Sequence, residues 1–368
     1  MTAFRTPTSV ALLLPLALAA CGGTDSGTTV PSPRLTLVDS IVLEQNDSAY
    51  LASPAAMVAD DHGYWVADAQ QATLLRYDRE GRYERRIGRQ GRGPGEFASP
   101  WRLAHRDDGQ LLVLDLGSGS VVGVNSQDGA HDFRHPVGGM FFGTSMFPRG
   151  DSLLLGGLGM TPPLGGVWLD LASGEVTTAV PAPEGTERVL LSNFEFAAVV
   201  ELQDGILAMW PGLRDARLRG WDGSDVDVQI PAITRPVPPQ DMLDGLKSGR
   251  LDSGVAWSLI SLPWASGVLA AGDGAFATLT FAPLSLEEGV SVTGGHLSVI
   301  SGAADRACVD APITFHSDER PVVSFRGDTL QLLEQVVQGS ESLAVLRTYA
   351  ISTEGCDWLP TDKQEVTR

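Results

Sequence analysis

Six histidines are the side chains of this 368-residue sequence best suited to metal or acid–base chemistry: His62, His105, His131, His135, His296 and His316. A zinc site draws neutral imidazoles together with thiolates or carboxylates, commonly from pairs a few residues apart. His135, His296 and His316 are the weak candidates, since their positions in the pattern described below allow an approach to one face. The run Asp222-Gly223-Ser224-Asp225-Val226-Asp227 alternates carboxylates as a calcium loop does. It lacks the closing Glu of such a loop and reads as an exposed turn between strands. No cofactor is expected, with zinc and calcium as the alternatives. The sequence has no Gly-x-Ser-x-Gly elbow, phosphate-binding loop or His-Glu-x-x-His helix, so no catalytic residue is assigned.

Cysteine chemistry is more informative. Arg5 is the sole charge before an apolar run from Val10 to Ala20, broken at Pro15. That run is too short to span a bilayer and fits the apolar region of a signal peptide. It ends in Leu18-Ala19-Ala20-Cys21, which resembles the lipobox of bacterial lipoproteins. The resemblance implies removal of residues 1–20, a lipid-bearing Cys21, and stable attachment through two or more acyl chains. The expected location is the bacterial cell envelope, on the periplasmic side of a membrane or at the cell surface. Residues 21–34 are rich in Gly, Ser, Thr and Pro and read as the lipidated Cys followed by a flexible tether. Cys308 and Cys356 remain. In an oxidising compartment an even pair suggests a disulfide, two buried thiols being the alternative. Formal charge is 26 − 45 = −19. That field repels nucleic acid and bare anionic lipid, so nucleic acid is excluded as a partner.

Residues 35–368 must position whatever chemistry exists, and an internal repeat shows how. Ser53-Pro54-Ala55-Ala56-Met57-Val58-Ala59 aligns with Ser99-Pro100-Trp101-Arg102-Leu103-Ala104. Each is followed by an acidic turn with Gly63 or Gly109, a short strand ending in Asp68 or Asp115, and a second strand closed by a turn at Gly81 or Gly129. The interval from Pro54 to Pro100 is 46 residues, and from Asp68 to Asp115 it is 47. A period of this length, made of short β-branched strands and tight turns, is one blade of a β-propeller. Four later units are more worn, centred on Leu153-Leu154-Leu155, Phe196 to Val200, Val268-Leu269-Ala270 and Val322-Val323-Ser324-Phe325. The count predicts a single all-β domain, a six-bladed propeller of four-stranded blades. The strand-like Leu35 to Leu43 is expected to complete the last blade from outside, sealing the ring. Gln240 to Lys247 is the one helical candidate, inside an insertion. A cystine would have to staple the outer rim of blades five and six. A monomer is expected.

The stretch Ile87-Gly88-Arg89-Gln90-Gly91-Arg92-Gly93-Pro94-Gly95-Glu96-Phe97, then Ser99-Pro100, resembles the NHL-type repeat and the six-bladed propeller lipoproteins related to it. The resemblance covers roughly residues 50–130 in detail. It implies a ring with a polar channel, and a face where blade linkers gather with the loops between second and third strands. Carried over, that layout places Asp68, Gln70, Arg92, Trp101, Arg102, Asp115 and His135 at or near the channel mouth as candidate ligand-binding residues. Asp68 and Asp115 recur at matching positions, which favours a capping role over ligand contact. The fold hosts scaffolds, binding proteins, lyases and lactonases alike, so it names no reaction. Two functions follow. The first is a membrane-anchored, non-enzymatic binding or scaffolding module for a peptide, protein or small molecule. The second is a metal-dependent lyase or lactonase working in the channel.

Overall fold

The computed structural model describes residues 32–47, 49–137, 141–160, 163–181, 198–209, 215–230, 265–268, 275–282, 294–317 and 321–365. All of them fall in one compact unit that begins at Pro31. The expected signal peptide, Cys21, most of the tether and the helical candidate at 240–247 lie outside the described residues.

Alternating apolar residues between Gly- and Asp-rich turns produce antiparallel hairpins, and these assemble into six sheets. Blade 1 is β2 (Pro54–Asp60), β3 (Gly63–Asp68), β4 (Thr73–Asp78) and β5 (Tyr83–Ile87). Blade 2 is β6 (Pro100–His105), β7 (Gln110–Asp115), β8 (Ser120–Asn125) and β9 (His131–Pro136). Blade 3 is β10 (Phe141–Arg149), β11 (Ser152–Met160), β12 (Pro163–Asp170) and β13 (Val176–Pro181). Blade 4 holds β14 (Ala198–Leu202), β15 (Gly205–Met209), β16 (Asp215–Gly220) and β17 (Asp225–Gln229). Blade 5 holds β18 (Ala265–Val268), β19 (Phe276–Ala282), β20 (Gly294–Ile300) and β21 (Arg306–Thr314). Its first strand ends at Val268, the first residue of the expected Val268-Leu269-Ala270, of which Leu269 and Ala270 lie outside the described residues.

Blade 6 closes the circle. β22 (Val322–Arg326), β23 (Thr329–Gln338) and β24 (Glu341–Ser352) take β1 (Arg34–Leu43) as their outer strand, as the sequence predicts. Register runs from Arg34 opposite Ser352 to Leu43 opposite Ala344, with a bulge between Leu37 and Asp39. Strand propensity alone would not hold this ring. Each blade is stable only because both of its faces are covered. Six buried clusters supply that cover, one at every junction. Trp65 and Leu74 of blade 1 meet Leu111 and Val122 of blade 2. Leu112 and Val121 then meet Leu153 and Val167. Leu154 and Val180 meet Val199 and Ile206. Leu207 and Met209 meet Ile300 and Val309. Leu297 and Leu279 meet Leu330 and Leu332. Leu333 and Leu346 of blade 6 return to Met57, Val66 and Leu75 of blade 1.

The chain does not stop at blade 6. After β24 a disulfide joins Cys356 to Cys308 of β21, with Cα atoms 6.1 Å apart. β25 (Leu359–Pro360) then pairs with Arg306 and Ala307, adding a fifth strand to blade 5. β26 (Asp362–Glu365) pairs with Val226 to Gln229 and does the same for blade 4. Four-stranded blades are thus the rule in blades 1, 2, 3 and 6, and the tail covers the outer edges of the other two. An uncovered edge is a template for unwanted strand pairing, so this strap is protective as well as cohesive.

Because strands alternate in direction, each blade's first-to-second and third-to-fourth turns share one face, here the turn face. On it, Arg106 reaches Asp151 (3.5 Å), Arg149 reaches Glu201 (3.0 Å) and Arg326 reaches Asp61 (2.5 Å), each pair joining consecutive blades. Within blade 1 the buried Arg76 makes a two-pronged contact with Asp60, at 2.8 Å for each nitrogen. Burial alone would raise the Asp60 carboxyl, but the Arg76 fork and the His62 N–H outweigh it and hold the group below its usual range. A depressed carboxyl stabilises the fold above its unfolded value and loses that contribution as pH falls through the folded one. Asp60→Asn is therefore expected to flatten the acid limb of stability below about pH 4. Urea melts between neutral and acid pH check this, and identical slopes in the two proteins would contradict it.

Candidate functional site

The opposite face gathers the linkers entering each first strand and the loops between second and third strands. Its construction begins with a steric problem. A linker that dives from the rim to the channel leaves backbone N–H groups pointing inward with no strand to pair them. In blade 1 Asp68, fully buried, answers this. Its Oδ2 accepts the N–H groups of Ala52 (2.6 Å) and Ser53 (2.9 Å), and its Oδ1 accepts that of Gln71 (2.8 Å). In blade 2 Asp115, equally buried, accepts Ala98 N–H (3.1 Å), Ser99 N–H (2.6 Å) and the Ser118 hydroxyl (2.7 Å). It also pairs with Arg134 at 3.1 Å. The same guanidinium donates to the Glu96 carbonyl (2.6 Å) and Ser118 Oγ (2.7 Å).

A third member of this set was not visible in the sequence pattern. Glu334, the sixth residue of β23 as Asp68 and Asp115 are of β3 and β7, is buried and accepts the N–H of His316 in the linker into blade 6. Arg347 on β24 supplies its counter-charge. Three carboxylates at one strand position therefore nail three linkers to the ring. Asp68 and Asp115 are positioning residues with their oxygens committed to the protein, not open ligand contacts.

The Gly-rich linker between blades 1 and 2 folds into a closed knob. Phe97 is fully buried, its N–H donates to the Arg89 carbonyl (2.9 Å), and Gly91 N–H donates to the Phe97 carbonyl (2.9 Å). Glu96 takes the Gly93 N–H (2.9 Å) and the Arg89 side chain (2.9 Å). Gly88 has φ +87°, and a Cβ there would lie 2.4 Å from the Phe97 ring, which accounts for glycine at this position. Arg92 projects from the knob toward the Gly117 carbonyl, at 3.3 Å, and Gln70 is exposed on the loop after Asp68.

Arg102 and Trp101 stand at the start of β6, the innermost strand of blade 2. The Arg102 guanidinium lies 5.1 Å from the centroid of the Trp101 ring and donates to the Trp101 carbonyl (2.9 Å) and, across the blade junction, to the Ala55 carbonyl (3.3 Å). Burial lowers its pKa to about 10, so it stays cationic at neutral pH at a desolvation cost. On the blade 6 side, β23 and β24 run four residues past Glu334 as a hairpin. Val337 on it is 73% exposed, and Tyr50 in the adjoining linker is 50% exposed. Gln335 ties this hairpin to the Leu51 carbonyl (2.8 Å).

His135 departs from its expected place. It sits on β9, the outermost strand of blade 2, stacked on Phe133 and bonded through Nε2 to the Leu171 carbonyl (2.9 Å). The reason is register: β9 is the rim strand, and its end packs under the next blade's turn instead of reaching the channel. His296 lies on the third strand of blade 5, opposite Thr280 and Pro312. His316 lies in the blade 5–6 linker, 3.8 Å from Glu334. The three are thus held on separate elements, and among the described residues no cluster of three or more His, Cys, Asp or Glu could hold a metal. In the calcium-like run, Asp222 caps Ser224, while Asp225 and Asp227 pair with Arg219 and Arg217.

A family model described as a 6-bladed beta-propeller matches residues 27–122. The structure is similar to that of a protein described as exported from Bacteroides fragilis, with a TM-score of 0.58 and 14% identity, covering 86% of this chain and 95% of that one. It is also similar to virginiamycin B lyase from Staphylococcus aureus, with a TM-score of 0.48 and 10% identity over 86% of this chain and 99% of the lyase. Curated proteins give no match. At such identities likeness extends to fold alone. The chain is a six-bladed β-propeller.

Proposed function

We propose that this propeller is a non-enzymatic binding or scaffolding module of the bacterial cell envelope, held on a membrane through lipid on Cys21 and engaging a peptide, protein or small-molecule ligand at its linker-rich face. An NHL-type relationship belongs to the same proposal. The observation that carries it is a rigid frame at that face that presents cationic, aromatic and apolar side chains together. Buried carboxylates hold the linkers rigid, while Arg92, the Arg102–Trp101 pair and the exposed Val337 of the β23–β24 hairpin are presented on that frame. A rigid frame lowers the ordering cost of binding. A partly desolvated guanidinium favours a ligand that brings a carboxylate or carbonyl.

Site-specific photocrosslinking in intact cells tests this. A photoreactive residue at Gln70 or Arg92 is expected to give a discrete adduct, and one at Arg326 on the turn face is not. Arg102→Ala should weaken capture by about ten- to a hundredfold, the worth of a hydrogen bond to a charged group. Adducts from Arg326 alone, or capture indifferent to Arg102, would overturn the reading. Cys21→Ser in the same cells should move the protein from the membrane to the soluble fraction.

A further inference from the structure

We propose that a cavity on the turn face, walled by blades 4, 5 and 6 and by the disulfide-held tail, binds a short neutral saccharide. Its volume is about 730 Å³, within the range of small-molecule sites. Gln203 enters from the first turn of blade 4 and Asp328 from that of blade 6, while Asp305 and Arg306 come from the β20–β21 turn and Glu354 and Trp358 from the tail.

Three features select the ligand class. The first is the Trp358 indole, which packs on the core of blades 5 and 6 and carries the Arg306 guanidinium 5.0 Å from its centroid, the half-buried ring adding an apolar stretch to the cavity wall. Pyranose rings present C–H faces that suit such a wall and hydroxyls at their edges. The second is hydrogen-bonding inventory. Asp305, Asp328 and Glu354 are planar acceptors able to take paired hydroxyls, with Gln203 and Arg306 as donors. Acceptors predominate, so the ligand must be rich in O–H groups. The third is charge. Three carboxylates against the Arg306 guanidinium and the Lys363 ammonium, which donates to the Ala303 carbonyl of the wall (2.7 Å), leave −1, which disfavours an anion, while the guanidinium already occupies the place an ammonium ligand would seek.

The disulfide gives the site its rigidity. Cys356 lies between Glu354 and Trp358, and its partner Cys308 is on the strand that starts at Arg306. β25 begins directly after Trp358 and pairs with Arg306 and Ala307. Thr361 N–H donates to the Asp305 carbonyl (2.9 Å), and Ser301 Oγ to the Asp305 carboxylate (2.5 Å). Both cavity walls are therefore held before any ligand arrives.

Calorimetry and tryptophan fluorescence on the oxidised, full exported chain test the proposal, with maltotriose, cellotriose and chitotriose as probes and spermidine and gluconate as charged controls. At least one trisaccharide should bind saturably with a Kd unchanged between low and high salt. Trp358→Ala and, as a milder variant, Asp328→Asn should each weaken it by about tenfold or more, as should reduction of the disulfide. Arg102→Ala, on the opposite face, should leave it unchanged, so failure here is separable from failure at the linker-rich face. No saturable trisaccharide binding, tighter binding of either charged control, or binding that survives both cavity variants would overturn it.

Discussion

Replacing Asp115 with Ala is expected to destabilise the ring by about 3–5 kcal/mol, the cost of leaving a buried charge without its partner. The substitution takes the counter-charge from Arg134, whose side chain is only 19% exposed and is left with the neutral Glu96 carbonyl and Ser118 Oγ, and it takes the acceptor from the Ala98 and Ser99 N–H groups. Asp115→Asn keeps one acceptor oxygen and should recover part of the loss. Asp68→Ala should cost less, because Asp68 accepts three backbone N–H groups where Asp115 also balances a guanidinium. Urea unfolding monitored by tryptophan fluorescence ranks the three. Equal losses for Asp68→Ala and Asp115→Ala would show that the Arg134 pair adds nothing.

The second large effect concerns the tail. Cys308 and Cys356 are 48 residues apart, so their bond removes about 4 kcal/mol of unfolded-chain freedom in the loop-closure account. The double replacement by Ser is expected to lower stability by about that amount. It should also act locally, since β25 and β26 make short pairings that lean on the bond. Limited proteolysis should then cut after Glu354 before any blade opens. A variant as stable as the parent, with a tail just as resistant, would mean that Leu359 packing and the Thr361 and Lys363 contacts suffice.

Blades 1 and 2 were legible from the sequence because they share a motif at nearly equal spacing, from Ser53-Pro54 and Ser99-Pro100 to Asp68 and Asp115. Ring closure by β1 was legible because an isolated strand before the first repeat has one edge available to it. Glu334 was hidden for two reasons. Its residue type differs from its counterparts, and β23 runs on to Gln338, so nothing marks a strand end there. The tail strands were hidden because two- and four-residue pairings carry no periodicity of their own. His135 was misplaced by projecting an inner position onto a rim strand. The cavity beside Trp358 could not be read at all, since its walls come from turns of three blades and from the tail.

The central claim is that the linker-rich face is the one engaged in the envelope. Hydrogen exchange of the protein in native membrane vesicles, compared with the purified protein, tests it most directly. Slower exchange is expected in 88–97, 116–119 and 335–344, with the turns at 60–63, 106–109 and 326–329 unchanged. Protection confined to those turns, or identical exchange in both preparations, would contradict it.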